Sequence, residues 1–289
     1  MNSSISTAAG RKVKIVADSS ADLLALPHVS YASVPLKIIT AQKEYVDDDH
    51  LEVAAMVSDL KVYKGRSSTA CPNVEDWLSA FEDGEDIYCV TITGTLSGSY
   101  NAAMTAKEMY EEAHPDRRVF VCNSLSAASE VRLIVEKLEA LVLSGMDFHR
   151  ICEEITAYTA HTGLVFMLAS LRNFANNGRV SPAVAKFAGL MGIRVVGKAS
   201  DKGDLEPLDK CKGQQKSLAT MFNRMKEQGY VGGRVMIAHC CNHEGGVALK
   251  QLIKAHFPEA QIGIYPCRGL CSFYAEEGGL LVGFEKEGA

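Results

Sequence analysis

Short apolar, β-branched runs alternate along the chain with stretches of helical spacing. "VKIVADSS" (residues 13–20) has the pattern of a buried strand that ends at a polar turn. "VSYASVPLKII" is extended and broken at Pro35. "HLEVAAMVSDL" (50–60) places its apolar residues on one helical face. "NVEDWLSAFE" follows Pro72 and carries Glu75 and Asp76 in its first turn, where negative charge suits a helix N-terminus. The strand "IYCVTI", the helix "YNAAMTAKEMYEEA" (100–113), the strand "RVFVCNS" and the long helix "ASEVRLIVEKLEALVLSG" follow. Strands separated by helices of this length imply right-handed crossovers and a largely parallel sheet. Ligands of such sheets sit beyond the carboxyl ends of the strands. Three hydroxyl-rich turns, at 18–20, 93–99 and 123–126, leave strand ends and are expected to share one rim.

The alternation restarts in the second half. "TGLVFMLASLRNF" leads through "NNGRVSPAVAKFAGL" to the strand "IRVVGK", and "SDKGDLEPLDK" reads as a hairpin or exposed loop. A helix at "CKGQQKSLATMFNRMKEQG", the strand "RVMIAHC", a helix at "GGVALKQLIKAHF" and the strands "AQIGIYP" and "GLLVGFE" complete the chain. The pattern predicts an α/β protein of two domains, each a mostly parallel sheet flanked by helices. The boundary is expected between Ser144 and His161, giving domains 1–155 and 156–289.

Composition narrows the function classes. The 289 residues are 47% hydrophobic and 22% charged, enough for full cores, and the net charge of -5 gives no basic block for nucleic acid. No apolar run reaches the ~20 residues of a membrane span. Residues 1–10 read as a loose lead-in without the layout of a secretory signal. Nine cysteines, an odd number scattered through strands and helices, fit a reducing cytosol and predict a cytoplasmic protein.

The stretch "TGTLSGSYNAA" (93–103) is crowded with hydroxyls and glycines and carries no charge. A P-loop needs G-x-x-x-x-G-K-[ST], but Gly94 and Gly98 are too close and no lysine follows. The nucleophile elbow G-x-S-x-G is also absent, since the loop reads G-T-L-S-G, and no motif marks a histidine as base for Ser97. Two readings stay open: Ser97 or Ser99 caps the following helix, or the turn holds an anion of modest charge on hydroxyls and helix-terminal N–H groups. "RSSTACPNVEDW" (66–77) is a second hydroxyl-rich turn before a helix, with Asn73 as a candidate cap. His239, Cys240, Cys241 and His243 lack paired knuckle spacing and lie at a strand end, so buried cysteines are favoured and no metal site is expected. Arg179 follows a glycine turn, a place from which it can approach a phosphate or carboxylate.

Taken in order, these segments resemble the DegV family of bacterial fatty-acid-binding proteins, from about Lys12 to Glu285. "KIVADSSADL" is similar to its opening strand and D-S-[ST]-x-D-L turn, and "VPLKI" with "YVDDD" to its next segment. "TACPN" stands where the family has T-S-Q-P-S. "LSGSYNAA" resembles L-S-G-T-Y-x-x-A. "LRNFANNGRVS" resembles L-x-x-L-x-x-G-G-R-I-S, and "GGLLVGFE" the Gly-rich ending. The resemblance implies a two-domain α/β protein with its ligand at the domain junction, enclosing one long-chain fatty acid such as palmitate, stearate or oleate. It implies no catalytic residue and no cofactor in this chain. By motif, the carboxylate falls to Thr69, Ser97, Gly98 and Tyr274. It also implies a partner, a separate fatty acid kinase that phosphorylates the bound acid, with Arg179 as its contact.

The chain departs from the family pattern at three points. Ala70 and Cys71 follow Thr69, Asn177 replaces the first glycine of the G-G-R turn, and Tyr274 stands where the family often has a histidine. Tyrosine donates a hydrogen bond but does not become a cation near neutral pH. Neutral donors suffice for one carboxylate. An acyl chain of about sixteen carbons would contribute of order 10 kcal/mol gross, at about 0.8 kcal/mol per buried CH2. Two competing readings use the same turns: a phosphotransfer or acyl-transfer enzyme, and an interaction protein in which the hydroxyls only cap helices.

Overall fold

A computed structural model describes residues 10–180 and 192–289. Most of the expected lead-in and Ser181 of the "GRVS" segment lie outside the described residues. The first half runs β1 (Val13–Asp18), β2 (Ser30–Val34), β3 (Lys37–Ile39), β4 (Glu44–Val46), α1 (Val53–Val62), β5 (Ser68–Ala70), α2 (Val74–Phe81), β6 (Asp86–Thr91), α3 (Ser99–Ala113), β7 (Arg118–Asn123), α4 (Ser129–Leu143) and α5 (Phe148–Ala160). The second half runs β8 (Thr162–Leu168), α6 (Arg172–Asn176), β9 (Ile193–Ala199), β10 (Leu205–Lys212), α7 (Gln214–Glu227), β11 (Val235–His239), α8 (His243–His256), β12 (Ile262–Pro266), α9 (Gly269–Ala275) and β13 (Leu280–Glu285).

The first sheet has the order β2-β1-β6-β7 and is parallel throughout. Strand order reverses between β1 and β6, which opens a crevice at their carboxyl ends. All six residues of β6 are buried, because helices cover both faces of the sheet. One core layer joins Ile15, Tyr88 and Val90 to Ile134, Leu138, Ile151 and Ile155 of α4 and α5. The opposite layer packs Trp77, Phe81 and Ala106 of α2 and α3 against Val16 and Ile87. Asn73 caps α2 as expected: its side chain accepts from Asp76 N at 2.9 Å while Asp76 accepts from Asn73 N at 2.8 Å. A small antiparallel sheet, β4-β3-β5, is an element that the sequence pattern does not announce.

The second sheet departs from the parallel expectation. Its order is β10-β9-β8-β13-β11-β12, and every neighbouring pair is antiparallel except β11 and β12. The reason lies in the connections. β9 and β10 are joined by the tight turn at 200–204, which permits only an antiparallel pair. β13 returns from the end of the chain and inserts between β8 and β11, running against both. α5 packs in the first core and β8 opens the second sheet, so the division expected at 155/156 falls inside α5. Helix α4 lies between the sheets, contacting β1 and β6 on one side and β11 and β13 on the other. Gly283 lets β13 approach it closely, since a Cβ there would sit 2.5 Å from Glu130 N. No helix among the described residues is long and apolar enough to cross a membrane.

The halves are also joined through buried carboxylates. Asp22 Oδ1 accepts from Arg268 N at 2.7 Å, and Asp47 accepts from Gly269 N and Leu270 N, both at 2.8 Å. Asp22 has a φ of 53°, a backbone conformation that costs a non-glycine residue energy. Burial pushes its pKa up to about 8, against the Arg268 bond and with the charge of Asp47 adding to the push. Between its ordinary value of 3.8 and about 8, the folded chain holds a proton that the unfolded chain has lost. Its contribution is therefore full below the ordinary value and lost as pH rises through that window. Asp22→Asn should flatten the fall of stability across this window by about 1.4 kcal/mol per pH unit. Urea unfolding at pH 5, 6, 7 and 8 measures it, and parallel slopes for the two proteins would refute the assignment.

Candidate functional site

The turns that leave β1, β6 and β7 meet at one rim. Asp18, fully buried at the end of β1, collects four bonds: from Ser20 N (3.2 Å) and Ser20 Oγ (2.5 Å), from Ile92 N (2.9 Å) and from Ser99 Oγ (2.6 Å). Burial pushes its pKa up, and these donors oppose that shift. Thr93 N donates to Ser126 O at 2.8 Å, and Gly94 N to Asn123 Oδ1 at 3.2 Å. Asp18 thus fixes the start of α3 and with it the loop that carries Ser97. Its signal in the sequence is an acidic residue at the carboxyl end of a strand that is apolar but for Lys14.

Above this rim, between the two sheets, lies a cavity of about 830 Å³, its open mouth included. Leu36, Ile92, Ala127 and Ala128 line it from below. Leu164, Phe166 and Leu168 close it from β8, while the alternate residues Val165 and Met167 face the other core of the second half. The turn between β9 and β10 forms part of its wall. Gly203 there has a φ of 83°, and a Cβ on it would lie 2.1 Å from Thr93 Oγ1.

Polar groups gather at one region of the wall. Thr69 Oγ1 and the Tyr274 hydroxyl share a hydrogen bond of 2.8 Å, although 205 residues separate them in sequence. The Tyr274 ring is wedged between Phe174, at 4.5 Å, and Phe273, at 4.9 Å. Burial pushes the Tyr274 pKa up, while the Thr69 bond and the Arg179 charge pull it down, so the group is a neutral donor near pH 7. Arg179 lines the same cavity and is held by two carbonyls: Nε donates to Leu96 O at 3.1 Å and Nη1 to Asn177 O at 2.9 Å. Asn177 in turn donates from Nδ2 to Asn173 O at 2.8 Å and to Ser67 O at 3.4 Å, tying the Arg179 turn to the Thr69 strand. Ser97 Oγ accepts a long bond from Ser99 N (3.3 Å), which leaves its hydrogen to be donated elsewhere. Gly98 is the N-cap residue of α3, with no side-chain cap, and a Cβ on it would come 3.0 Å from Cys71 Sγ.

Thr69, Ser97, Tyr274 and Arg179 therefore line one cavity; Gly98 does not line it but lies in a neighbouring open pocket with Ser97, Asn177 and Arg179. Three neutral hydroxyls, one guanidinium and the N-terminus of α3 converge where an apolar space meets solvent. The arrangement suits a small anionic head on an apolar body. Among the described lining residues Asp204 is the one carboxylate and none is histidine, so Ser97 has no placed base there. Among the described residues no group of three or more His, Cys, Asp or Glu is arranged to hold a metal ion.

The DegV family model, described as "Uncharacterised protein, DegV family", matches residues 12–287. A DegV domain-containing protein of Streptococcus pneumoniae is 45% identical over 276 residues, which is 94% of this chain and 98% of that protein. Among solved structures, the fatty acid kinase (Fak) B3 protein of Streptococcus pneumoniae, loaded with linoleic acid, superposes with a TM-score of 0.93 at 45% identity, covering 95% of this chain and 99% of that one. A DegV family protein of Eubacterium eligens loaded with heptadecanoic acid gives a TM-score of 0.93 at 40% identity, covering 95% and 100%.

The seat of the β9–β10 turn is testable. Gly203→Ala should cost about 1–3 kcal/mol, from its left-handed backbone and the clash with Thr93. The readout is the urea midpoint, and an unchanged midpoint would show that the turn does not close on Thr93.

Proposed function

The chain belongs to the DegV family, and from that premise we propose that it binds one long-chain fatty acid and presents it to a separate kinase. The supporting observation is the cavity itself: an apolar space between the sheets with Thr69, Ser97, Tyr274 and Arg179 on its wall. In this reading the acyl chain lies against Leu164, Phe166 and Leu168, and each buried CH2 contributes about 0.8 kcal/mol. The carboxylate is held by the hydroxyls of Thr69, Ser97 and Tyr274 and by N–H groups at Gly98 and the start of α3. Relatives at 45% and 40% identity that are loaded with linoleic and heptadecanoic acid support this assignment.

What surrounds Ser97 supports the carrier role. A transferase acting alone needs a base or a bound phosphate donor beside the reacting atom. The lining provides hydroxyls that hold, and the chain has no P-loop to bring ATP. Phosphorylation of the carboxylate is therefore assigned to a partner enzyme. Arg179, at the cavity mouth, is the residue assigned to contact it.

Three experiments test these assignments. Protein purified from bacteria and extracted for lipid mass spectrometry should yield close to one fatty acid per chain. An empty cavity that also takes up no added palmitate would refute the binding role. Thr69→Ala with Ser97→Ala should weaken palmitate binding by roughly tenfold or more, since hydrogen bonds to a charged group contribute about 1.5–3 kcal/mol each. Separately, Arg179→Ala should keep palmitate bound but lose acyl-phosphate formation when a purified bacterial fatty acid kinase and ATP are added. Equal hydroxylamine-trapped product from wild type and variant would remove Arg179 from the kinase contact.

A further inference from the structure

Tyr274 donates from a helix that has little of its own to stand on. α9 has seven residues, and a helix so short does not persist in water by itself. Its first turn is held from the other half of the chain. Asp47 Oδ1 and Oδ2 take Gly269 N and Leu270 N, each at 2.8 Å, and Asp22 Oδ1 takes Arg268 N at 2.7 Å. The Arg268 guanidinium bonds the Asp48 carbonyl and lies 3.7 Å from Asp47. Gly269 makes the approach possible, since a Cβ there would sit 2.7 Å from Asp47 Oδ1. Asp47 is fully buried.

We propose that Asp47, with Asp22 beside it, is a positioning residue for the headgroup site, acting through α9 to set the Tyr274 hydroxyl against Thr69. The proposal rests on the fatty-acid reading above and extends it to residues that do not line the cavity. The mechanics are those of a short lever. Tyr274 stands five residues beyond the anchored N–H of Gly269, about 7 Å along the axis at 1.5 Å per residue. A small tilt at the first turn is enough to break a 2.8 Å bond at the other end. Thr69 is held on the same frame: β5 pairs with β3, which pairs with β4, and Asp47 follows β4 directly. One small sheet therefore carries both the anchor of α9 and the partner of its tyrosine. Asn173 Nδ2, donating to Phe273 O at 2.7 Å, steadies the far end without reaching the hydroxyl.

The test is a double-mutant cycle on the intact protein with two probes of equal chain length, palmitate and hexadecanol. Asp47→Asn preserves shape and one acceptor oxygen but turns the other, which takes an N–H group, into a donor. It should weaken palmitate about tenfold and hexadecanol less than about twofold. Tyr274→Phe should weaken palmitate similarly, and adding Asp47→Asn to it should cost nothing more, because the hydroxyl to be positioned is gone. Additive losses, or equal losses for both probes, would make Asp47 a general structural residue and overturn the proposal. So would unchanged palmitate affinity in Asp47→Asn. A wild-type protein that binds no palmitate would overturn the fatty-acid reading and this one together. Should Asp47→Asn not fold, Asp22→Ala, which removes the acceptor of Arg268 N, enters the same cycle with the same expected non-additivity.

Discussion

A buried carboxylate must find its hydrogen bonds inside the fold, and that constraint shapes the rim of this cavity. Asp18 gathers two backbone N–H groups and two serine hydroxyls. Asp47 gathers two backbone N–H groups, with the Arg268 guanidinium 3.7 Å away. Each carboxylate drags a segment to itself: Asp18 the loop before α3, Asp47 the first turn of α9. An unpaired buried donor or acceptor costs about 1–3 kcal/mol, more when charged. The loops are therefore held by a penalty for letting go rather than by packing alone. Ser97 and Tyr274 sit on the two segments so held.

The division of labour in the wall follows. Apolar surface from β8 and from the strand ends of the first sheet is non-directional and tolerates a range of chain shapes. The polar end is directional, and its geometry depends on rigid supports outside it. Relatives loaded with linoleic and heptadecanoic acids differ in their chains and share the carboxylic acid. A tolerant tunnel joined to a fixed head fits that pattern.

Much of this was legible in the sequence. The strand and helix alternation placed the parallel first sheet, and the rim could be expected from three hydroxyl turns at strand ends. Thr69, Ser97, Tyr274 and Arg179 do line one cavity, and these came from ordered motifs rather than from periodicity. The direction of the second sheet was not legible, because apolar alternation reads the same for parallel and antiparallel strands. Only the short 200–204 turn and the return of β13 from the chain end decide it. Helix α9 escaped for a related reason. "GLCSFYA" carries no cap of its own, and the carboxylates that hold it lie about 220 residues away, 222 in the case of Gly269. Asp18 and Asp47 were visible only as parts of motifs, since a local pattern does not show which distant N–H a side chain will meet.

The tyrosine at 274 sharpens what kind of head site this is. A histidine there would gain and lose a proton near neutral pH, and its attraction for a carboxylate would change with it. Tyr274, its pKa raised by burial, presents the same neutral donor throughout that range. The positive charge facing the cavity from this region belongs to Arg179, which is tied to the carbonyls of Leu96 and Asn177. Orientation and charge are thus carried by different residues. The hydroxyls are neutral, directional donors, and the guanidinium at the mouth is fixed by backbone carbonyls. Because those carbonyls already hold two of its N–H groups, Arg179 keeps its place whether or not an anion lies beside Tyr274.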